Sequence, residues 1–258
     1  MTTTRSVVPR STPVRVAAVL LVLAVLAAGG YGLWYLFLRP AAPAAVGASH
    51  VALPSSTADP SATASAGGSG GATDGIEGSW QVDPSIGSFS DFTSSFVGYR
   101  VQEELASIGG QTAVGRTPDV SGSITIEGTS VTAASITADL TTLVSDDDRR
   151  DGQLRRQGLE TEQFPTATFS LTQPIELPDG AAAGESVEVT AVGELTLHGQ
   201  ANAVEMPMQA RLDGDVIVLT GSIDILFADY GMDPPSSFIV LSVDDHGVME
   251  LQLFLTRA

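Results

Sequence analysis

The sequence contains no cysteine and no lysine, and all twelve of its basic residues are arginine. Without cysteine the chain forms no disulfide, offers no thiolate to a metal and has no cysteine nucleophile. Acidic residues outnumber basic ones by 30 to 12, giving a formal net charge of −18. Such a charge argues against nucleic-acid binding, because affinity for phosphates requires a basic surface. Hydrophobic residues make up 43% of the chain, which is enough for a substantial core and excludes wholesale disorder.

The longest uncharged apolar stretch runs from Val16 to Leu38 and follows a polar segment, residues 1–15, that carries three arginines. A helix of this length spans roughly 35 Å and can cross a bilayer core of about 30 Å. We interpret residues 16–39 as a single transmembrane helix. The excess of arginines before it predicts a cytoplasmic N-terminus, with the rest of the chain outside the cytoplasmic membrane. The small residues Ala42-Pro43-Ala44 leave cleavage as a secretory signal open, although a signal has a shorter apolar region.

Residues 40–75 consist mainly of alanine, serine, glycine, proline and threonine. Because they cannot bury enough surface to offset chain entropy, we expect a flexible linker with a reach on the order of 30–35 Å. Residues 76–258 have the length of one domain. This domain contains 28 of the 30 acidic residues, which predicts a soluble, acidic surface.

The domain is dominated by segments in which apolar and polar residues alternate, at residues 187–197, 204–212, 217–227 and 249–255. A period of two predicts β-strands that are apolar on one face. Further strands are expected at 122–126, 131–140, 166–171 and 238–243. Short glycine-containing connections at 198–200 and 213–215 predict hairpins. One helix is predicted from Asp148 to Gln163, ending before Phe164-Pro165. Many such strands need a shared interior, which either a sandwich or a closed barrel supplies.

Several short segments, taken together in their order, resemble the YceI-like family of lipid- and polyisoprenoid-binding proteins over residues 78–257. They are Trp80–Asp83, Ser94–Val101, Val120–Ile124, Asp148–Leu154, Phe164–Phe169 and Gly193–Gly199. The resemblance implies an all-β fold, an extended antiparallel lipocalin-like barrel of about eight strands with one short helix. It also implies an interior that binds a long isoprenoid chain, and no catalytic activity. The use of arginine alone, with much alanine and glycine, resembles a high-GC actinobacterial protein.

An apolar interior can bind an isoprenoid tail without specific polar contacts, because each buried CH₂ contributes roughly 0.8 kcal/mol. The alternative for any single aromatic residue is an ordinary place in the core. Tyr99 and Tyr230 are the best candidates for contact with a headgroup, because a phenol can present a polar end. The full set of candidate ligand-binding residues is Phe89, Phe92, Phe96, Tyr99, Phe164, Phe169, Leu195, Leu197, Ile223, Ile225, Phe227 and Tyr230.

No catalytic residue, metal ligand or cofactor is predicted. The acidic run that starts at Asp146 fails as a calcium loop, because arginine and glycine occupy positions that need oxygen ligands. It fits better as the start of a helix, where carboxylates cap free N–H groups. The three histidines, His50, His198 and His246, lack the spacing of metal ligands and are expected at the surface.

We therefore expect an extracytoplasmic carrier that is tethered to the membrane and is not an enzyme. Its ligand is a polyprenyl, quinone-like or similar amphiphilic lipid, and its partners are this lipid and the cytoplasmic membrane, contacted through Val16–Leu38. The alternative is a barrel scaffold without a lipid ligand, acting in stress or protein interaction. The sequence leaves the identity of the ligand and the oligomeric state open.

Overall fold

The computed structural model describes residues 20–30, 42–46, 75–105, 109–234 and 240–258, in two compact units, Met1–Ala42 and Pro43–Ala258. In the first unit residues 20–30 form a helix, α1. Within the ranges given above, no helix is both long and apolar enough to cross a membrane. The remainder of the predicted transmembrane segment and most of the predicted linker lie outside the described residues.

The second unit consists largely of antiparallel β-strands. In its described part these are β1 (Gly78–Val82), β2 (Phe96–Leu105), β3 (Gly109–Thr117), β4 (Val120–Glu127), β5 (Ser130–Asp139), β6 (Val144–Ser145), β7 (Thr166–Leu171), β8 (Ile175–Glu176), β9 (Val187–Leu197), β10 (Gln200–Asp213), β11 (Val216–Leu226), β12 (Val240–Val243) and β13 (His246–Arg257). Single 3₁₀ turns lie at Phe89–Asp91, Ala181–Ala183 and Phe227–Tyr230. The predicted hairpins join β9 to β10 and β10 to β11.

Eight of these strands close into a barrel in the order β1, β4, β5, β7, β9, β10, β11 and β13. The ring closes where β1 pairs with β13, with Trp80 opposite Arg257 and Val82 opposite Leu255. The prediction of an all-β, eight-stranded antiparallel barrel is thereby confirmed. Because the ring is closed, the fold is a barrel and not the alternative sandwich. Full closure leaves the ring without an unpaired edge.

Strand β13 is longer than β1 and also pairs with β2, through Val248–Gln252. Strand β2 continues into a hairpin with β3, and β6 pairs with β3 at Gly115 and Arg116. The barrel wall is therefore extended at one end by β2, β3 and β6. We call this end the β2 end and the opposite one the β1 end.

The side chains that face the barrel interior form two apolar clusters. The first lies at the β1 end and contains Trp80, Ile126 and Leu255. The second lies at the β2 end and contains Leu143, Leu197 and Ile225. Period-two patterning determines which residues face inward, because successive side chains on a strand point to opposite faces.

The predicted helix is present but shorter than Asp148–Gln163. Helix α2 spans Asp148–Gln153 and continues as one wider π-helical turn, Leu154–Gly158. The side chain of Asp147 caps it by accepting a hydrogen bond from the N–H of Arg149, 2.9 Å away. The helix ends early because Gly158 is a poor helix former and Glu160 adopts a left-handed backbone with φ of 45°.

Candidate functional site

The barrel interior contains two apolar cavities, one in each cluster. The cavity at the β1 end has a volume of about 110 Å³ and is lined by residues such as Ile124, Ala191 and Leu219. The cavity at the β2 end has a volume of about 120 Å³ and is lined by residues such as Ala113, Leu143 and Phe227. The interior is therefore partly vacant rather than fully packed.

Three side chains, Val97, Ala167 and Met249, line both cavities and form a waist between them. Each cavity alone is close in size to an engineered cavity of about 150 Å³ that holds benzene, and below the roughly 300–1,000 Å³ of most ligand pockets. A long apolar ligand therefore has to occupy both cavities and pass the waist. Of the three residues, Met249 is the most adaptable, because its unbranched side chain has three rotatable bonds.

The cavity at the β2 end contains a polar atom that lacks a partner. The hydroxyl of Tyr99 is buried, and among the described residues no group hydrogen-bonds to it. Burial raises the pKa of Tyr99 well above its ordinary value, so the hydroxyl stays protonated and can act as a donor. A buried hydroxyl without a hydrogen-bond partner destabilises the folded protein. The Tyr99 hydroxyl is therefore suited to donate a hydrogen bond to an acceptor atom of a ligand.

Room for the Tyr99 ring comes from a glycine on the neighbouring strand. Gly115 pairs with Tyr99 across β2 and β3, and a Cβ atom there would lie 2.4 Å from the ring. A glycine also makes room for an aromatic ring at the wall of the other cavity. A Cβ atom at Gly193 would lie 2.4 Å from the ring of Phe169.

Next to Tyr99 the cavity wall carries a compact charged group. The guanidinium of Arg150 forms salt bridges with Glu103, at 2.5 Å, and with Asp146, at 2.6 Å. Burial alone would lower the pKa of Arg150, but the hydrogen bond and charge of Glu103 together with Asp146 raise it. The carboxylate of Asp151 lies nearby and accepts hydrogen bonds from the backbone and hydroxyl of Ser145. The charged side chains that line the cavity itself, Glu103, Arg150 and Asp233, comprise one cation and two carboxylates, so their formal charge is −1.

The predicted site residues fall into three locations. Six of them line a cavity: Tyr99, Phe169, Leu195, Leu197, Ile225 and Phe227. Ile223 packs against both core clusters, and Tyr230 is buried in the cluster at the β2 end. Phe164 stacks on His198, with ring centroids 4.2 Å apart. The side chains of Ile223, Tyr230 and Phe164 are not among the residues that line the two cavities.

Phe89, Phe92 and Phe96 pack on the outer wall of the barrel, away from the cavities. Phe92 lies edge-on to both Phe89 and Phe96. The guanidinium of Arg116 lies over both Phe92 and Phe96, 4.4 and 4.3 Å from their ring centres. The parity of β2 explains this placement, because Val97 and Tyr99 face inward and Phe96 must then face outward.

His198 corrects the expectation that the histidines lie at the surface. Its side chain is buried in the turn between β9 and β10, where its Nδ1 lies 3.1 Å from the carbonyl of Tyr230. Its Nε2 lies 3.1 Å from the carboxylate of Glu160. Across the described part of the chain, no three potential metal ligands come together.

Residues 80–254 match the family model of the YceI-like domain. The chain belongs to the YceI-like family. The match includes part or all of each of the eight strands of the closed barrel.

Two solved structures resemble the barrel of this YceI-like protein. One is a polyisoprenoid binding domain from Saccharophagus degradans implicated in plant cell wall breakdown, with 19% identity and a TM-score of 0.51 over 69% of this chain and 98% of that one. The other is Burkholderia cenocepacia BcnA, with 18% identity and a TM-score of 0.50 over 62% of this chain and 95% of that one. At this identity the likeness shows the fold alone. No curated protein sequence matches the chain.

Proposed function

We propose that this protein is a carrier that holds the apolar chain of an isoprenoid lipid in its barrel, with a neutral, quinone-like headgroup at Tyr99. The observation that carries the proposal is the pair of apolar cavities in line, the one at the β2 end containing a buried hydroxyl to which no described residue hydrogen-bonds. A scaffold barrel would have no need for either feature. The similarity to a polyisoprenoid binding domain supports the same ligand class.

The two cavities supply the binding energy. Their walls are almost entirely aliphatic or aromatic, so each CH₂ group that moves in from water contributes about 0.8 kcal/mol. A tail that fills both cavities needs no polar contact along its length. Shape and apolar area then select for a long, slender chain.

The charges beside Tyr99 favour a neutral headgroup over a phosphate. Arg150 is already paired with two carboxylates, Glu103 and Asp146, so it has no free charge to offer an anion. A phosphate in this cavity would face net negative charge in surroundings of low dielectric constant. A quinone carbonyl, by contrast, can accept a hydrogen bond from the Tyr99 hydroxyl at no electrostatic cost.

We propose further that residues 16–39 anchor the chain in the cytoplasmic membrane and that the barrel lies outside it. The uncharged length of Val16–Leu38 and the three arginines before it support this placement. A tethered carrier stays close to lipids in the bilayer, which raises its effective concentration near them.

The test is to identify the lipids that copurify with the full chain. The chain and two variants, Ala167→Phe and Ala201→Phe, are purified from membranes in one detergent, extracted and analysed by mass spectrometry. Ala167 lines both cavities, whereas Ala201 is exposed on β10, so only the first substitution fills the waist. Lipids bound elsewhere on the chain are common to all three samples.

We expect an isoprenoid lipid in the unmodified chain and in Ala201→Phe, and its loss from Ala167→Phe. If the crowded waist prevents folding, Ala191→Phe fills the cavity at the β1 end instead. An identical lipid content in folded filled variants would overturn the carrier and favour the scaffold.

A further inference from the structure

A short piece of the predicted linker, residues 43–46, lies against the outer wall of the barrel. Both terminal nitrogens of Arg100 donate to the carbonyl oxygen of Pro43, one of them at 2.7 Å. Arg116 donates from Nη2 to the carbonyl oxygen of Ala44, at 2.9 Å. The N–H of Val46 donates to Oε2 of Glu250, at 3.3 Å. We call residues 43–46 the docked segment.

The protein groups that hold the docked segment form one buried ionic cluster. Arg116 donates to Oε1 of Glu250 from Nε and Nη2, at 3.0 and 2.7 Å. Their side chains are 4% and 1% exposed, and Arg100 approaches the other oxygen of Glu250 at 3.7 Å. The two arginines carry more N–H donors than the single carboxylate of Glu250 can bind. The carbonyl oxygens of the docked segment accept hydrogen bonds from some of the remaining donors.

The cluster is held in place independently of the docked segment. The guanidinium of Arg116 lies over the rings of both Phe92 and Phe96. Gly98 makes the close approach possible, because a Cβ atom there would lie 2.7 Å from Cγ of Arg116. A cluster fixed by aromatic stacking and strand pairing presents its donors and acceptor in a set geometry.

The hydrogen bonds to the docked segment reach only main-chain atoms: two successive carbonyl groups and one N–H. Such contacts recognise an extended backbone and not a particular side chain. The docked segment has no regular secondary structure and begins with a proline, whose restricted φ lowers the entropy lost on docking. Beyond it, Val46 borders a surface groove that also includes Thr190, Thr220 and Ser222.

We propose that Arg100, Arg116 and Glu250 form a peptide-docking site on the outer wall of the barrel, and that its occupant is the chain's own linker at residues 43–46. The site acts as a clip on the linker. With the clip closed, residues 40–42 alone separate the predicted membrane segment from the barrel surface. With the clip open, all of residues 40–75 separate the predicted membrane segment from the barrel. This consequence rests on the proposed membrane tether, whereas the docking itself does not.

The test uses hydrogen exchange in the full chain, read by mass spectrometry on peptides that cover residues 41–47. Two substitutions at one position form a matched pair. Val46→Pro removes the N–H that Glu250 accepts, whereas Val46→Ala keeps it. A third variant, Arg100→Gln, removes both donors to Pro43. Elastase, which cleaves after small residues, provides a second readout of the same segment.

We expect the amide at position 46, which donates to Glu250, to exchange about tenfold or more slowly than the amides of residues 48–73, both in the unmodified chain and in Val46→Ala. Arg100→Gln should lose this protection. Both Arg100→Gln and Val46→Pro, which lacks the amide at position 46, should gain elastase cleavage, and Val46→Pro should leave the melting temperature of the barrel unchanged. Val46→Pro lies outside the barrel, so it remains informative if Arg100→Gln unfolds. Free exchange of the Val46 amide in the unmodified chain, or equal resistance to elastase in Val46→Pro and Val46→Ala, overturns the proposal. Neither readout involves lipid, so a failed clip is distinct from a failed carrier.

Discussion

The ring of Tyr99 lies over Gly115, its direct partner across β2 and β3, in space that any larger residue at position 115 would take. A Cβ atom there would lie 2.4 Å from Cε1 of Tyr99 and 2.9 Å from Leu143. The pair shows how the polar end of the cavity is built. A missing side chain on one strand lets a tyrosine on the next lie flat against the wall with its hydroxyl inside.

Gly115→Ala should destabilise the barrel by about 1–3 kcal/mol, the usual cost of overpacking a well-packed site. Urea unfolding measures this change. Gly110→Ala on the same strand is the control, because a Cβ atom there meets nothing within 4 Å. Combining Gly115→Ala with Tyr99→Ala should recover part of the loss, and strict additivity would contradict the packing explanation.

Tyr99→Phe should separate stability from binding. Removing an unpaired buried hydroxyl should leave the free energy of unfolding unchanged or raise it by about 1 kcal/mol. The same change should weaken binding of a short-chain isoprenoid quinone about tenfold, measured by titration calorimetry. Tyr230→Phe is the control, because Tyr230 is buried outside the cavity lining. Equal affinities in all three proteins would remove Tyr99 from the site.

Glu103→Gln should change the headgroup preference. Glu103 accepts hydrogen bonds from Arg150 and Gln111, so its neutralisation leaves Arg150 with more uncompensated charge. We expect affinity for a polyprenyl phosphate to rise about tenfold while quinone affinity changes little. Glu104→Gln, on the exposed face of the same strand, is the matched control. An unchanged preference would mean that charge does not select the headgroup.

Met249→Ala should join the two cavities, because Met249 belongs to the waist that lines both. It should lower the free energy of unfolding by about 2 kcal/mol and shift binding toward longer isoprenoid chains. Met208→Ala enlarges the cavity at the β1 end alone and controls for added volume. Competition between short and long quinones gives the readout. The same chain-length preference in both variants would show that the waist is not a barrier.

Alkaline pH should destabilise the protein through Tyr99. Burial raises the pKa of the folded phenol above the value of about 10 that the unfolded chain has. The unfolded state therefore loses its proton first, and stability falls as pH rises past about 10. By about pH 11 the unmodified chain should have lost about 1 kcal/mol more than Tyr99→Phe, relative to about pH 9. Parallel urea-unfolding profiles for the two proteins would contradict this.

The strand pattern was predictable because it depends on local alternation. The predicted strands at 166–171 and 187–197 match β7 and β9. The helix after Asp148 was predicted with its cap but extended too far, since a π-helical turn and a left-handed Glu160 leave no periodic signal. The outward position of Phe96 could have been found from its odd spacing to Tyr99 along one strand.

Other features of the site have no signal in the sequence. Glu103 and Arg150 are 47 positions apart and meet only because α2 packs at the β2 end. Arg116 and Glu250 are 134 positions apart, and their contact depends on the pairing of β2 with β3 and β13. Ionic pairs of this kind arise from strand order, which local patterns do not encode.

By itself the sequence determined a β-rich domain, the buried face of its regularly alternating strands and the resemblance to the YceI-like family, because alternation and ordered motifs are properties of neighbouring residues. Only the tertiary structure decided that the interior is split at Val97, Ala167 and Met249, that the Tyr99 hydroxyl has no hydrogen-bond partner within the described ranges, and that residues 43–46 lie on the outer wall. These depend on the closure of the ring and the register across it, which bring together residues far apart in the chain.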